Sequence, residues 1–405
     1  MTLITYEYIA KDKNGKTIKG THSAESREEV LNFIRGKQFF PLKIDEQKAS
    51  WNFDVNLDIV LKVKVRDLAL FCRQFATTLR SGITVVDSIS ILRKQSSSKK
   101  LSQTLNMVYD EILKGNSLSA SMAMEPKVFP FLLINMVETG EVSGNLDNVM
   151  DDMAKHFEKE YKLHQKVKGA LTYPIVVSIV SVVVVVLLLT FVMPTFVKMF
   201  DSFGAELPGA TKLLMTISDS IKNHWLIYLL VISISYYSLN KYIKTSSGKL
   251  TYHKFLLKMP IFGQLNNKII MERFASTISV LLSSGVDILQ AVEIVERVVG
   301  NEHIKKSLVQ VRDGVRKGFG FGKTMEATGS FPPLVYQMVD VGENSGTLDF
   351  VLQKVADFYE SEVETTIGQL TTLIEPLIIV VLGGIVGFIV IAMVLPIFDL
   401  YNVIG

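Results

Sequence analysis

The chain has 405 residues, of which 48% are hydrophobic and 20% charged, and its formal net charge is only +3. Together with a mean hydropathy of +0.30, this composition indicates a membrane protein with substantial soluble parts, in about two or three domains. The nearly balanced charge gives no support to nucleic-acid binding. The single cysteine, Cys72, excludes an intramolecular disulfide and a cysteine-based metal cluster, and the six histidines lack the spacing of metal ligands.

The first part of the chain predicts a small α/β module at residues 1–48, followed by a linker at 49–64. Asn14-Gly15 lies between two strand-like segments and is a strong hairpin turn signal. Ser26, with Glu29 three residues later, predicts the N-cap of a helix. We expect a docking or packing module rather than a ligand site. The predicted strands and helix are residues 6–9, 16–19, 23–35 and 40–44.

A helical bundle is predicted over residues 65–169, because apolar residues recur there at spacings of three and four. Gly82 ends the first of five predicted helices, and the fourth opens after Pro130. The fifth helix begins at Leu146, is polar on its outside and leads towards Pro174.

Two apolar runs of nineteen residues without any charge, Ile175 to Met193 and Leu377 to Leu395, predict membrane spans. Each run would be about 28 Å long as a helix, which is close to the thickness of a bilayer core. Both lie between prolines, with Pro174 before the first run and Pro376 before the second. A run of fifteen residues at 225–239 is predicted to be a span only because the duplication described next requires one. The predicted spans are residues 173–195, 224–241 and 376–397.

An internal repeat covers both ends of this arrangement. The segment from Phe71 matches the segment from Phe274 with a shift of 203 residues, and the segment from Val128 matches the segment from Ser330 with a shift of 202. The second shift also relates the prolines that flank the two long runs. The second bundle is therefore predicted at residues 268–372, and the duplicated unit is a bundle followed by its own membrane helix.

The recurring residues have mostly structural interpretations. Glycine at the end of the first helix of each bundle can adopt a positive φ without strain. In the repeated pattern GExSGxLD, the two glycines are expected to frame a short loop, and the aspartate to lie in the first turn of the next helix, where the helix dipole favours a negative charge. For the glutamate, loop stabilisation is favoured and contact with a partner is the alternative. The paired residues are Gly82 and Gly285, Gly140 and Gly342, Glu141 and Glu343, Gly144 and Gly346, and Asp147 and Asp349.

Duplicated bundles are expected to fold on the same side of the membrane. Lysines are frequent before the first span and after the second but sparse between them, so the positive-inside rule places the N-terminus and both bundles in the cytoplasm. The loop at 196–223 and the tail at 398–405 are expected outside, and the connector at 242–267 inside. The predicted fold is an all-α membrane protein with two homologous cytoplasmic helical bundles, three transmembrane helices and a small α/β N-terminal module.

No catalytic residue, metal site or cofactor site is predicted. The segment RKGFGFGKT at 316–324 resembles a phosphate-binding loop, but Lys317 stands where such a loop needs its first glycine, and no apolar strand precedes it. An inter-helix turn is the favoured interpretation. Asp147, Asp151 and Asp152 are interpreted as a solvated acidic face, with a cation site as the alternative.

Three further features concern packing. Cys72 aligns with Ala275 of the second repeat, which predicts a small buried residue rather than a nucleophile. Gly383 and Gly387 form a Gly-x-x-x-Gly face that permits close helix–helix contact. For Glu375, at the mouth of the third span, a functional role and a position among the lipid headgroups are equally favoured.

The doubled bundle, with its SG-ended helices, FP…GExSGxLD turns and following spans, resembles the type II secretion F family. These are the polytopic platform proteins of type II secretion systems and type IV pili. The resemblance covers essentially the whole chain, including the opening YEYIAKDKNGKTIKG.

This resemblance implies a non-catalytic scaffold in the bacterial cytoplasmic membrane, without a cofactor. Family members engage a hexameric assembly ATPase through their bundles, present pilin or pseudopilin subunits to a growing fibre, and associate with other inner-membrane assembly proteins and with themselves. Pilus assembly, secretion and DNA uptake share this platform. The alternative is a small membrane transporter or nucleotide-hydrolysing protein that uses Gly322-Lys323-Thr324, although spans with almost no intramembrane charge offer no substrate path.

Overall fold

The computed structural model describes residues 4–11, 17–46, 63–202, 208–260 and 262–404. They belong to two units that divide after Leu61. The predicted Asn14-Gly15 turn and nearly all of the predicted linker lie outside the described residues.

The first unit is a three-stranded antiparallel sheet with one helix. Strand β1 is central, so the strand order is β2-β1-β3. Ser26 caps the helix as predicted: its hydroxyl accepts from the Glu29 amide at 3.4 Å, and the Glu29 carboxylate accepts from the Glu25 amide at 3.0 Å. The second strand is longer than predicted and takes the residues expected to start the helix, because they pair with β1. The elements are β1 (Ile4–Lys11), β2 (Thr17–Ala24), α1 (Arg27–Gly36) and β3 (Phe40–Glu46).

The second unit begins with the first helical bundle. Phe71, Phe75 and Phe129 are buried at its centre, where the predicted apolar faces meet. The bundle contains one helix more than predicted, α5, which is too short for a periodic apolar pattern to reveal it. Its helices are α2 (Val65–Arg80), α3 (Val85–Gln95), α4 (Lys99–Leu113), α5 (Leu118–Ala123), α6 (Phe131–Ser143) and α7 (Leu146–Leu187).

A π-helical stretch, Leu188–Val192, links α7 to α8 (Met193–Ser202), and α9 (Gly209–Ile243) and α10 (Ser246–Lys258) follow. The segment expected to be a loop at 196–223 is therefore largely helical. Its second part, before the break in α9 at His224, packs against the ends of α7 and α16. The Ser218 hydroxyl donates to the Leu189 carbonyl at 2.6 Å. Helical hydrogen bonds and these contacts satisfy groups that water would have to satisfy in an exposed loop.

The second bundle repeats the first, helix for helix, and the buried residues of both belong to one continuous core. Cys72 and Ala275 are both fully buried, as the alignment of the repeats predicts. Within the described part of the chain, three helical segments are long and apolar enough to cross a membrane: α7 with α8, α9, and α16. The second bundle comprises α11 (Phe262–Ser283), α12 (Ile288–Val298), α13 (Glu302–Arg316), α14 (Phe321–Thr328), α15 (Pro333–Ser345) and α16 (Leu348–Ile404).

Candidate functional site

The repeated GExSGxLD segments form a pair of tight turns, which we call the signature turns: Gly140–Asp147 between α6 and α7, and Gly342–Asp349 between α15 and α16. The second glycine of each turn ends its helix in the left-handed region, at φ +69° for both Gly144 and Gly346. This conformation favours glycine and closes the helix end. Asp147 and Asp349 lie in the first turn of the following helices, as predicted.

The first glycine of each signature turn does not frame a loop, contrary to the prediction. Gly140 and Gly342 are the tenth residues of α6 and α15, and both are buried. A Cβ on Gly140 would lie 3.1 Å from the Leu146 Cα, and one on Gly342 would lie 2.9 Å from the Leu348 Cα. These glycines therefore allow the backbone of the next helix to approach closely.

The signature glutamates cap helices that lie more than twenty residues earlier in the chain. The Glu141 carboxylate accepts from the amides of Leu118 and Ser119 at 2.6 and 3.0 Å, at the start of α5. The Glu343 carboxylate accepts from the amides of Phe321 and Gly322 at 2.7 and 3.4 Å, at the start of α14. A carboxylate at a helix N-terminus satisfies free amides and is favoured by the helix dipole. The geometry thus gives both glutamates a structural role within their own repeat.

The segment that resembles a phosphate-binding loop has the same explanation. Lys317 to Gly320 is a turn, as expected, but Gly322, Lys323 and Thr324 lie in the first turn of α14 rather than in the turn itself. The amide donors that a phosphate would need there bind Glu343, and Lys323 is exposed. Helix α13, not a strand, precedes the turn. A second anion at this helix end would face a fixed carboxylate.

The acidic residues at the start of α7 are neutralised by basic side chains rather than free for a cation. Asp151 pairs with Arg73, with Arg80 at 3.4 Å and with Lys155 at 2.9 Å. Asp147 approaches Arg80 at 3.6 Å. Among the residues that the structure describes, no three His, Cys, Asp or Glu side chains form a group that could hold a metal ion.

The two repeats meet along α7 and α16, where basic residues of the first repeat pair with acidic residues of the second. Lys159 binds Asp357 at 3.1 Å and Glu360 at 3.7 Å, and Lys166 binds Glu364. The sequence analysis missed this contact. The sequence does carry a signal for it, because lysines of α7 and acids of α16 occupy similar positions of the duplicated helix.

A cleft of about 220 Å³ lies beside these ion pairs, between α7 and α11. His156 and Glu160 of α7 line it together with Glu272 and Arg273 of α11. Burial, with the nearby Glu360 carboxylate, raises the pKa of Glu272 to about 7. The cleft therefore holds one carboxyl group that changes charge near neutral pH, at the boundary between the repeats.

The bundles are joined to the membrane without a break. Helix α7 is continuous from Leu146 through Pro174, and α16 is continuous from Leu348 through Pro376. The distance along α7 from the signature turn to the proline is about 42 Å at 1.5 Å per residue. Each proline removes one backbone hydrogen bond, but the helical turns on both sides of it are intact and neither helix ends there.

Among the residues that the structure describes, none makes the close contact that the Gly-x-x-x-Gly face permits. A Cβ on Gly383 or Gly387 would meet nothing within 4 Å. Glu375 is exposed at the start of the third span. Pro174 is buried, whereas Pro376 is exposed. Both glycines therefore leave this face of α16 open to close approach by another helix.

Comparison with known sequences gives a consistent result. The profile of the family described as Type II secretion system (T2SS), protein F matches residues 71–194 and 274–396, and that of its N-terminal domain matches residues 1–45. The chain is 34% identical over 402 residues to the Type IV pilus assembly protein PilC of Thermus thermophilus, which covers 99% of both chains. It is 37% identical over 379 residues to the Type IV pilus assembly protein PilC of Pseudomonas aeruginosa, covering 93% of this chain and 100% of that protein. The Type II secretion system protein F of Pseudomonas aeruginosa is 32% identical over 406 residues, covering 100% of both.

Proposed function

The chain belongs to the type II secretion system protein F family, and on that basis we propose that it is the inner-membrane platform of a type IV pilus or type II secretion machine. As a platform it couples a cytoplasmic hexameric assembly ATPase to the insertion of pilin or pseudopilin subunits into a fibre. It acts as a scaffold, without catalysis of its own.

One observation carries this proposal: each bundle shares an unbroken helix with a membrane span. A force applied to a bundle by the ATPase is transmitted through a rigid helix rather than lost in a flexible linker. The ion pairs between Lys159, Lys166 and the acidic side of α16 join the two helices, so both spans respond together. The pilin subunits then contact the spans, where this motion is delivered.

We infer that the bundles and the N-terminus lie in the cytoplasm and that the C-terminus lies outside. Some lysines before the first span are paired with acids of α16, which weakens their use as topology markers. Lys241 and Lys244 after the second span support the same orientation, since they follow the apolar run directly.

Nucleotide chemistry at Gly322-Lys323-Thr324 is not part of the proposal. Glu343 occupies the amides that would bind a phosphate. ATP turnover by the purified chain that is abolished by Lys323→Ala would restore that alternative.

The test is to interrupt α7 with a short Gly-Ser linker inserted after Gly169, between the bundle and the span. Gly169 is exposed, a Cβ there would contact nothing, and it lies beyond the core that the two bundles share. We expect the variant to reach the membrane and to co-purify with the assembly ATPase, but to assemble no fibre. The same linker after Ser97, in the turn between α3 and α4, is the control and should preserve assembly. Normal fibre assembly with the interrupted helix would contradict mechanical coupling, and failure of the intact chain to capture the ATPase would contradict the proposed partner.

A further inference from the structure

The cleft between α7 and α11 contains three polar side chains whose hydrogen-bonding capacity is unused. His156 is only 8% exposed, and its Nδ1 atom is unpaired. Ser276 is 5% exposed, and neither its hydroxyl nor the Glu272 carboxyl group forms a hydrogen bond or an ion pair with any residue that the structure describes. A buried polar atom without a partner destabilises a protein, so three such groups in one cleft indicate a bound molecule.

The three groups come from both repeats. Glu272 and Ser276 are four residues apart on α11 and therefore share one face of that helix, and His156 lines the same cleft from α7. His156 and Ser276 also line a second cavity, of about 260 Å³, beside the first. A molecule bound at these groups would contact the first and the second repeat at once.

The second repeat has room at this place because a serine stands where the first repeat has an arginine. Ser276 corresponds to Arg73, whose guanidinium occupies the equivalent position of the first repeat and binds Asp151 and Glu158. The shorter serine side chain leaves the cleft of about 220 Å³ open. Pockets for drug-sized molecules are larger than this, so the ligand has to be small.

The charges around the cleft favour a ligand with a single positive charge. Arg273 and Glu160, which both line it, lie 3.5 Å apart and balance each other. Lys159 is held by two acids of α16. Burial lowers the pKa of His156, so its imidazole is neutral at physiological pH. When Glu272 is ionised, its carboxylate is therefore an unbalanced negative charge, which a monovalent cation would neutralise.

An alkylammonium ion matches both the polar and the apolar part of the cleft. A primary ammonium group has three N–H donors and no acceptor. The cleft offers three acceptors, which are the Glu272 carboxylate, a nitrogen of the neutral His156 imidazole and the Ser276 hydroxyl. Leu163 and Val167 continue the wall along α7 and provide an aliphatic surface for the carbon chain.

We propose that the cleft between α7 and α11 binds a small primary alkylammonium ion. Its nitrogen donates to Glu272, His156 and Ser276, and its carbon chain lies along Leu163 and Val167. The bound ion contacts both α7 and α11 and therefore holds the two repeats together. A free amine and a lysine side chain both present this group, and the experiment distinguishes them. This inference does not rest on the proposed platform function.

The test measures the thermal unfolding midpoint of the full chain in detergent, at constant ionic strength, as n-butylammonium is added. A ligand of the folded state raises the midpoint, and the concentration dependence of the increase gives its dissociation constant. n-Butanol, which has no charge, and tetramethylammonium, which has no N–H donor, are the matched control compounds. We expect only n-butylammonium to raise the midpoint. No increase with n-butylammonium, or an equal increase with either control compound, overturns the proposal.

Two variants assign the binding to the named groups. Glu272→Gln removes the negative charge and should abolish the increase, and Ser276→Ala removes one acceptor and should weaken binding several-fold. Glu326→Gln, exposed in α14, is the control and should respond as the parent does. The unfolding transition of each variant without ligand shows that it is folded, so that lost binding is not lost folding. Binding to Glu272→Gln as tight as to the parent contradicts the proposed site.

The pH dependence tests the carboxylate in the unmodified chain. The pKa of Glu272 is raised to about 7 by burial and by Glu360, whereas an alkylammonium ion keeps its charge up to about pH 10. Because the ion binds the ionised carboxylate, its affinity should be about tenfold lower at pH 6 than at pH 8. Equal affinities at the two pH values contradict the assignment. Besides His156, the titratable or charged groups that face Glu272 are Lys159, Glu160 and His164 of α7, Arg273 of α11 and Glu360 of α16.

A second probe, a glycine-lysine-glycine peptide with both ends capped, identifies the source of the ammonium group. We expect n-butylammonium to bind several-fold more tightly than the peptide, because His156 and Ser276 are almost fully buried and a peptide backbone has to stay at the mouth of the cleft. That result assigns the site to a free amine. Equal binding of the two probes supports the same site and assigns it to a lysine side chain of a protein.

Discussion

The two repeats share a fold but balance their charges in different ways. In the first repeat, Arg73 and Arg80 of α2 neutralise Asp151 and Glu158 of α7 within the same bundle. In the second repeat both arginine positions are serine and the position of Asp151 is glutamine. The corresponding pairs are Arg73 and Ser276, Arg80 and Ser283, Asp151 and Gln353, and Glu158 and Glu360.

Glu362 of α16 pairs with Lys268 of its own repeat at 2.7 Å, but other acids of α16 pair with the first repeat. Glu360 and Asp357 take Lys159 of α7 as their partner, and Glu364 takes Lys166. Lys159 and Lys166 of the first repeat thus pair with acids of the second, and one pair has the opposite sense, since Arg273 of the second repeat lies 3.5 Å from Glu160 of the first. The ion pairs between the repeats are therefore unequal in the two directions, which favours one defined arrangement of the duplicated bundles.

The largest expected effect comes from the glycines that both repeats retain. Gly342→Ala should destabilise the protein by about 3 kcal/mol, because the new methyl group would lie against the Leu348 backbone, which cannot move aside cheaply. Gly140→Ala should lower the free energy of unfolding by somewhat less, since the new Cβ would lie 3.1 Å from the Leu146 Cα, against 2.9 Å from the Leu348 Cα at Gly342. Thermal unfolding of the purified protein in detergent measures both.

Gly169→Ala is the matched control for these glycines, because it lies within α7 and a Cβ there meets nothing within 4 Å. It should be neutral or slightly stabilising. If all three variants unfold at the same temperature, the close approach of the backbones at the signature turns is not the reason for glycine there.

The signature glutamates should have the next largest effect. Glu141→Ala leaves two amides and the Ser119 hydroxyl without their acceptor, and Glu343→Ala leaves two amides. We expect the free energy of unfolding to fall by about 1–2 kcal/mol in each variant, and by more for Glu141→Ala. Glu138→Ala, exposed on the same helix, is the control. A variant at Glu141 with full stability but no capture of the assembly ATPase would favour the alternative, partner contact, over the capping role.

The sequence predicts well those features that depend on neighbouring residues or on long runs. Ser26 as an N-cap, the positive φ of Gly82 and Gly285, and the apolar spans all follow from local chemistry or from length. The duplication follows from the residues themselves, and the two profile matches to the family confirm it.

What the sequence misses depends on residues that are distant in the chain. Glu141 acts on an amide 23 residues earlier, at the start of a helix of six residues that has no periodicity to reveal it. Gly140 is read as a loop residue because only the position of Leu146 in space shows that the two helices touch there. The lysines of α7 are read as topology markers because their partners lie 198 residues away.

The boundary between the repeats should respond to pH through Glu272. Burial and Glu360 raise its pKa from the ordinary 4.5 to about 7, against the opposing effects of Arg273 and Lys159. Below pH 4.5 the group is protonated whether the protein is folded or not. As the pH rises the unfolded chain releases the proton first, so stability falls and the loss is complete above pH 7.

Glu272→Gln mimics the protonated carboxyl group and should remove this loss. Because Glu272 is partly exposed, solvent screening reduces the gain at pH 8 to about 1–2 kcal/mol, with no gain at pH 4. Unfolding midpoints across this range measure it, and Glu326→Gln, exposed in α14, is the control. A constant difference between variant and parent at every pH would assign the effect to packing instead.

The smallest effect, and the most direct test of the contrast between the repeats, comes from the ion pairs that join them. Lys159→Glu should lower stability by about 1 kcal/mol, because both partners are partly exposed, and the loss should shrink in high salt. Asp357→Lys with Glu360→Lys in the same chain should recover most of it. Arg73→Ser, which gives the first repeat the residue of the second, disturbs only the internal network, so its effect should add to that of Lys159→Glu. If the reversed charges fail to restore stability, or if the two changes are strongly coupled, the pairs of Lys159 with Asp357 and Glu360 are not an independent contact between the repeats.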